Sequence, residues 1–319
     1  MVRFLPPQLA RLVTLGLQAR IHQDGLAPSA VGIPNGGASQ ALGVAPADPL
    51  SVAGGPTGYR VSSRGAGKMP AKPAKNYAYG VRTAEDDPVP PAEALESLVE
   101  GNKRFVSGKA ETWKEWSPGN LERLATYGQN PMASIVGCAD SRAPVEILFD
   151  AQPGDLFVLR NAGNTLTNAE GSLVGSLEFS VNALGVKLIV FLGHTQCGAI
   201  KGATAKLLES QKNPDDSSPQ GILDNLLAGL SPVVAQAQLD LGEKASPETI
   251  ASEAVEVNVF AGMQKLLLYS ESIREKVKTG EVQLHGAVFD IATGEVKFLG
   301  QHPRLPLILG MSSTYAGRR

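Results

Sequence analysis

Cysteine is nearly absent from this chain: its 319 residues include two, Cys138 and Cys197. That excludes a disulfide-stapled scaffold and leaves room for one bridge at most. Long apolar runs are absent as well. The longest predominantly apolar stretch, Val186 to Leu192, is far short of the ~20 residues a membrane-spanning helix needs, so no membrane association is expected. Positive charge is not in excess either. The 29 Lys and Arg against 31 Asp and Glu give a net charge of −2, which argues against nucleic acid as a partner of the whole chain. What remains, 43% hydrophobic and 19% charged residues, is the composition of an ordinary globular protein with ample core.

Acidic residues are scarce in one region. Residues 1–84 hold two acids, Asp24 and Asp48, against nine Lys and Arg, while the remainder holds 29 acidic and 20 basic residues. The first segment is rich in Gly, Ala and Pro and poor in aromatics. It cannot bury enough surface to offset the entropy of ordering and reads as a disordered leader. Its start, Met1 to Ile21, mixes apolar residues with Arg3, Arg11 and Arg20 in the manner of a plastid or mitochondrial transit peptide. The alternative is a plain disordered extension on a cytoplasmic protein. The expected division is therefore a leader over 1–84 and one folded domain over 85–319.

Pro88, Pro90 and Pro91 mark the entry to that domain. Ala92 to Val106 has a helical stripe of apolar positions, and a second helix is expected over Pro118 to Tyr127. After the break at Gly128–Pro131 the pattern alternates strand and helix. Strands are expected at Met132–Val136, Asp155–Arg160 and Val186–Leu192, with helices at Pro144–Phe149, Leu173–Leu184 and Gly198–Ser210. Lys212 to Ser231 reads as a surface insertion carrying one short helix. Val255 to Tyr269 reads as a long helix, and Val282–Phe289 with Val296–Leu299 as a closing antiparallel hairpin. The fold class is α/β, with a mostly parallel sheet covered by helices on both faces.

Both cysteines fall just beyond predicted strands, in Gly137-Cys138-Ala139-Asp140-Ser141-Arg142 and Gly193-His194-Thr195-Gln196-Cys197-Gly198. Ligands of open parallel sheets bind beyond the carboxyl ends of the strands, which is where Cys138 and His194 are placed. Cys197 opens the next helix, whose dipole favours a thiolate. Two thiolates and an imidazole suit Zn²⁺ and leave a fourth position for water. Asp140 either closes the site as a fourth ligand or stands off and orients that water, held ionised by the Arg142 guanidinium. The bland readings are a structural salt bridge for Asp140–Arg142 and a disulfide for the two thiols.

These two motifs resemble those of the β-class carbonic anhydrases. The resemblance covers about residues 92–300. It includes Glu100-Gly101-Asn102-Lys103-Arg104-Phe105, the run from Pro153-Gly154-Asp155 through Arg160-Asn161-Ala162-Gly163-Asn164, Gly171 to Phe179, and Leu284-His285-Gly286. It implies reversible hydration of CO₂ to bicarbonate by zinc-bound hydroxide, with Cys138, His194 and Cys197 on zinc and Asp140–Arg142 as the catalytic dyad. By the same resemblance Gln129 binds substrate oxygen, Phe157 and Phe179 line an apolar pocket, and the backbone at Ala162–Gly163 borders the site. It further implies that a neighbouring subunit supplies part of the pocket, so that the working unit is a homodimer or a higher even oligomer braced by the N-terminal helices.

Two departures stand out. Phe179 replaces the usual Tyr, and Ile135 stands where bicarbonate-gated members carry Trp, although Arg160 is present. For a proton shuttle the candidates are His285 and His302. Two other activities remain open: hydrolysis of CS₂ or COS on the same scaffold, and a non-catalytic zinc domain with Asp140 as a permanent ligand.

Overall fold

A computed structural model describes residues 81–166, 171–213, 221–242 and 244–311. The leader expected over 1–84 lies outside the described residues as far as residue 80. Packing already includes Val81, Arg82 and Thr83, which are buried, with Arg82 Nε donating to the Asn130 carbonyl at 2.9 Å.

Two helices come first, α1 (Pro91–Val106) and α2 (Pro118–Tyr127). Each begins with proline, whose missing N–H costs nothing in a first turn. Ser117 caps α2 by accepting from the Asn120 N–H at 3.3 Å. Then follow β1 (Ala133–Cys138), α3 (Val145–Leu148), β2 (Leu156–Asn161), α4 (Ser172–Asn182), β3 (Leu188–His194) and α5 (Gly198–Lys212). The chain continues through α6 (Ile222–Leu241), α7 (Pro247–Tyr269), α8 (Glu271–Lys278), β4 (Gln283–Phe289), β5 (Val296–Gly300) and α9 (Leu305–Leu309).

The sheet order is β2-β1-β3-β4-β5. The first four strands run parallel, and β5 returns antiparallel to β4. Because alternate side chains leave opposite faces of a strand, one sheet feeds two cores. Val136, Ile189, Phe191, Leu284 and Val288 pack with residues of α4, α5, α6, α7 and α8. Ala133, Ile135, Leu188, Val190, Leu192, Ala287 and Phe289 pack with α1 and α3. Burial on both faces explains why β1 and β3 are almost wholly apolar; the buried Ser134 hydroxyl of β1 donates to Ser180 Oγ at 2.8 Å.

Helix α7 approaches the sheet closely, and glycine is what permits it. A Cβ on Gly262 would lie 2.7 Å from the Phe191 ring, and one on Gly286 would lie 2.7 Å from Val259 Cγ1.

The predicted surface insertion is corrected in part. Residues 222–231 are the first half of the 20-residue helix α6, which continues through Pro232. Leu230 is 1% exposed and packs in the same core as Cys138, together with Val233, Val234 and Ala237. An interior proline costs about 3 kcal/mol; burying four apolar side chains at roughly 1.5–3 kcal/mol for each of the larger ones outweighs it. Helix α7 likewise starts eight residues before the predicted Val255, where Ser246 caps it by accepting from the Thr249 N–H at 3.2 Å.

Candidate metal centre

The parallel register brings the two motifs together. Gly137 of β1 pairs with Leu192 of β3, so the chain leaves both strands at the same edge of the sheet. There Cys138, His194 and Cys197, all buried, place one sulfur, one imidazole nitrogen and one sulfur within 4.8 Å of one another. Both cysteines are free, so the bridge considered for the thiols is not formed.

The histidine's tautomer follows from its partner. His194 is 1% exposed, and its Nδ1 lies 2.9 Å from the Thr195 carbonyl. A carbonyl can only accept, so Nδ1 carries the proton and Nε2 presents a lone pair. Nε2 is buried with no hydrogen-bond partner among the described residues. A buried acceptor without a donor is costly unless something else fills that role, and a metal ion does so.

The thiols point the same way. The Cys197 hydrogen bond pulls the Cys138 thiol far down against its burial, helped by His194 and the Gly163 and Asp140 N–H groups. That same hydrogen bond, with burial, pushes Cys197 far up. The N–H groups of Ile200 and Ala199 at the start of α5 do favour a Cys197 thiolate, as expected for a helix N-terminus, but the hydrogen bond with Cys138 and burial outweigh them. Two adjacent buried thiolates coexist only beside a cation. A tetrahedral ion with Zn–S near 2.3 Å and Zn–N near 2.0 Å would bring the donors to roughly 3.5–3.8 Å apart, which this cluster can accommodate.

Asp140 stands beside the cluster, with Oδ2 3.9 Å from His194 Nε2. Arg142 grips it three times: backbone N–H to Oδ1 at 2.9 Å, Nε to Oδ1 at 2.9 Å and Nη2 to Oδ2 at 2.7 Å. Those side-chain bonds hold the Asp140 carboxyl well below the usual carboxylate range and raise Arg142 in turn. The fork itself is braced. Gln196 adopts a left-handed backbone (φ 59°), and its carbonyl accepts from Arg142 Nη2 at 3.2 Å. On the other side Arg160 donates to the Cys138 carbonyl at 2.8 Å and the Asp140 carbonyl at 2.6 Å.

Residues 133–296 match the family model described as carbonic anhydrase. The chain belongs to the β-class carbonic anhydrases. A Mycolicibacterium smegmatis carbonic anhydrase is 34% identical over 210 residues, 65% of this chain and 92% of that protein. The Arabidopsis thaliana protein named beta carbonic anhydrase 6, mitochondrial, is 31% identical over 176 residues, covering 53% of this chain and 57% of that one. Among solved structures, the β-carbonic anhydrase CafA of Aspergillus fumigatus superposes with a TM-score of 0.51 at 27% identity, over 67% of this chain and 96% of that one. As in that family, the triad is a Cys–His–Cys zinc set.

Not every pocket residue expected from the carbonic anhydrase resemblance lies near this triad. Gly163 does: its N–H donates to Cys138 Sγ at 3.3 Å. Its φ of 76° suits glycine, and a Cβ there would press on Ala199 and Leu230. Phe157 and Phe179 meet each other with ring centroids 6.3 Å apart, and Phe179 is 52% exposed. But Phe157 pairs with Ser134, four rungs from the Cys138–Asn161 pair, so it lies roughly 13 Å down the sheet from the triad. Gln129, exposed before β1, is at that same far end.

The two histidines considered as shuttles are also remote. His285 pairs with Val190, four rungs below the His194–Phe289 pair, and His302 follows β5 near the same low end. Burial lowers the pKa of both, and Arg304 adds to the effect on His302.

Sequence reading overlooked Asn258 of α7. It is 5% exposed, and its Nδ2 donates to the Gly163 carbonyl at 2.8 Å. The available signal was a lone amide within an apolar helical stripe.

Proposed function

We propose that Asp140 and Arg142 act as the catalytic pair beside the triad, and that a second copy of the chain completes the pocket with Gln129, Phe157 and Phe179. The chain is a carbonic anhydrase: it adds water to CO₂ reversibly, giving bicarbonate and a proton. Zinc, when bound, supplies a Lewis acid that makes water acidic enough to attack near neutral pH. The single observation that carries the role of the pair is the triple grip of Arg142 on Asp140. A carboxylate held so acidic keeps no proton at neutral pH. Asp140 therefore accepts a hydrogen from the attacking oxygen and aims that oxygen's lone pair, rather than storing the proton itself.

The substrate side of the reading rests on distance. Gln129, Phe157 and the exposed Phe179 share one end of the sheet, and the triad occupies the other. An amide donor for the oxygen of CO₂ and an apolar wall that excludes water thus reach a triad only from a neighbouring chain. A symmetric dimer, in which each chain lends its pocket end to the other's metal end, satisfies both. The basic, acid-poor leader supports delivery to an organelle; a reporter fused to residues 1–84 that stays diffuse in the cytosol would overturn that.

The activity is tested by stopped-flow CO₂ hydration on the full chain with zinc measured on the same sample. Turnover far above buffer with one zinc per chain is expected. Stoichiometric zinc with no acceleration would sink the reading.

A further inference from the structure

A buried amide on α7 is connected to a metal-ligating sulfur through the backbone of one residue, Gly163. Asn258 lies on the face of α7 that carries Val255, Val259, Gly262 and Met263 into the core. A polar side chain in such surroundings has to be hydrogen-bonded to be tolerated. Asn258 spends its Nδ2 on the carbonyl of Gly163, 2.8 Å away. The N–H of that same residue donates to Cys138 Sγ at 3.3 Å. Gly163 is in the left-handed region, and a Cβ there would press on Ala199, Leu230 and Thr165. The hydrogen bond from Asn258 restrains the Gly163 carbonyl, and with it the orientation of the same residue's N–H.

We propose that Asn258 is a positioning residue for the metal centre: by anchoring the Gly163 carbonyl it keeps the Gly163 N–H on the Cys138 sulfur, and so limits how much charge that sulfur gives to the ion. A sulfur that accepts a hydrogen bond donates less electron density to its metal, and partners of this kind orient the ligand as well. The consequence is specific to this site, because the two thiolates offset the charge of a divalent ion and weaken it as a Lewis acid. One hydrogen bond to sulfur works against that weakening. The inference rests on the Cys138–His194–Cys197 triad being a zinc site.

The test uses the full chain carrying Asn258→Leu, which is nearly isosteric and has no donor. Leu266→Ala, on the same helix about 12 Å away and fully buried, serves as a control that loses stability without touching Gly163. Each protein is loaded with Co²⁺ to read the sulfur-to-metal charge-transfer band, and separately with Zn²⁺ to follow metal loss to a chromogenic chelator. In Asn258→Leu the band is expected to move to lower energy and zinc affinity to fall by about 10-fold or more. Leu266→Ala should match wild type in both. Should Asn258→Leu not fold, Asn258→Ser, whose shorter hydroxyl reaches Gly163 poorly, is expected to show the same shifts in smaller degree. A folded Asn258 variant with wild-type band and wild-type zinc release overturns the proposal. So does a Leu266→Ala protein that shifts as much, since the effect would then be general loosening. If wild type itself binds neither ion stoichiometrically, it is the zinc reading that fails.

Discussion

Asp140 shows how the neighbours of one side chain decide its chemistry. Its carboxylate oxygens accept three hydrogen bonds from Arg142, and its backbone carbonyl is taken by Arg160. Asp140→Asn keeps the shape but removes the charge and an acceptor. Zinc should remain bound while turnover falls by about 10²-fold or more, the scale of lost electrostatic preorganisation; metal analysis and stopped-flow on one preparation check both. A carboxylate that merely closed the site would instead lose metal. At this scale much of the centre was legible. Two cysteines in a chain with almost none, each beside a glycine after an apolar strand, point to a ligand set without any fold in hand. Arg142 was legible as the partner of Asp140 by its spacing. Asn258 was not, because a single amide in an apolar stripe looks the same whether it anchors a loop or faces solvent. Gln196 escaped notice for a different reason: its role lies in a backbone carbonyl, which no side-chain pattern reveals.

The elements that hold these residues are set by close approaches as much as by burial. Gly101 of α1 faces the Phe149 carbonyl, and a Cβ there would lie 1.8 Å from that oxygen. Alanine normally gains about 1 kcal/mol over glycine inside a helix. Here the obstacle is backbone, so overpacking should win, and Gly101→Ala is expected to lose about 3 kcal/mol. A lower urea midpoint at unchanged slope is the check; a higher midpoint would mean that α1 shifts freely.

Strands β1 and β3 were readable because both their faces are covered and nearly every residue is apolar, Ser134 and the terminal His194 excepted. Helix α6 was not, since Pro232 and Gly229 carry the marks of a loop and only the core beneath shows why the helix runs on. Helix α8 was missed because eight residues with Ile273 and Val277 on one face give too short a period to stand out. Its start depends on Ser270, which caps it at 3.2 Å and donates to Glu178 of α4 at 2.6 Å, a tertiary contact invisible in a local pattern.

For the molecule as a whole, one partly buried acid, Asp155, is expected to make stability depend on pH. Burial pushes Asp155 up from 3.8 to about 7, although the Gln152 N–H and Arg82 pull the other way. Between those two pH values the folded chain holds a proton that the unfolded chain has released, so stability falls as pH rises from about 4 to about 7. Asp155→Asn should flatten that fall, measured as urea midpoints at pH 5 and pH 8; an unchanged difference would remove Asp155 as its source.

Completion of each pocket by a second copy is checked by mixing two weak variants. Cys197→Ser lacks a metal ligand and Gln129→Ala lacks the amide. A mixed dimer carries one site with both, so refolding them together should recover about a quarter of wild-type activity, as random pairing of two chains predicts. Recovery no greater than the sum of the separate variants would place Gln129 at its own chain's metal.

The separation of Gln129, Phe157 and Phe179 from the triad by a strand's length also bears on dilution. Under the proposed exchange of pocket ends between two copies, a chain folded in isolation would keep its ion and its hydrophobic wall yet never present both to one gas molecule. Catalytic output per milligram then becomes a mass-action quantity, steady in concentrated stock and fading as the sample is thinned below the dissociation constant of the pair.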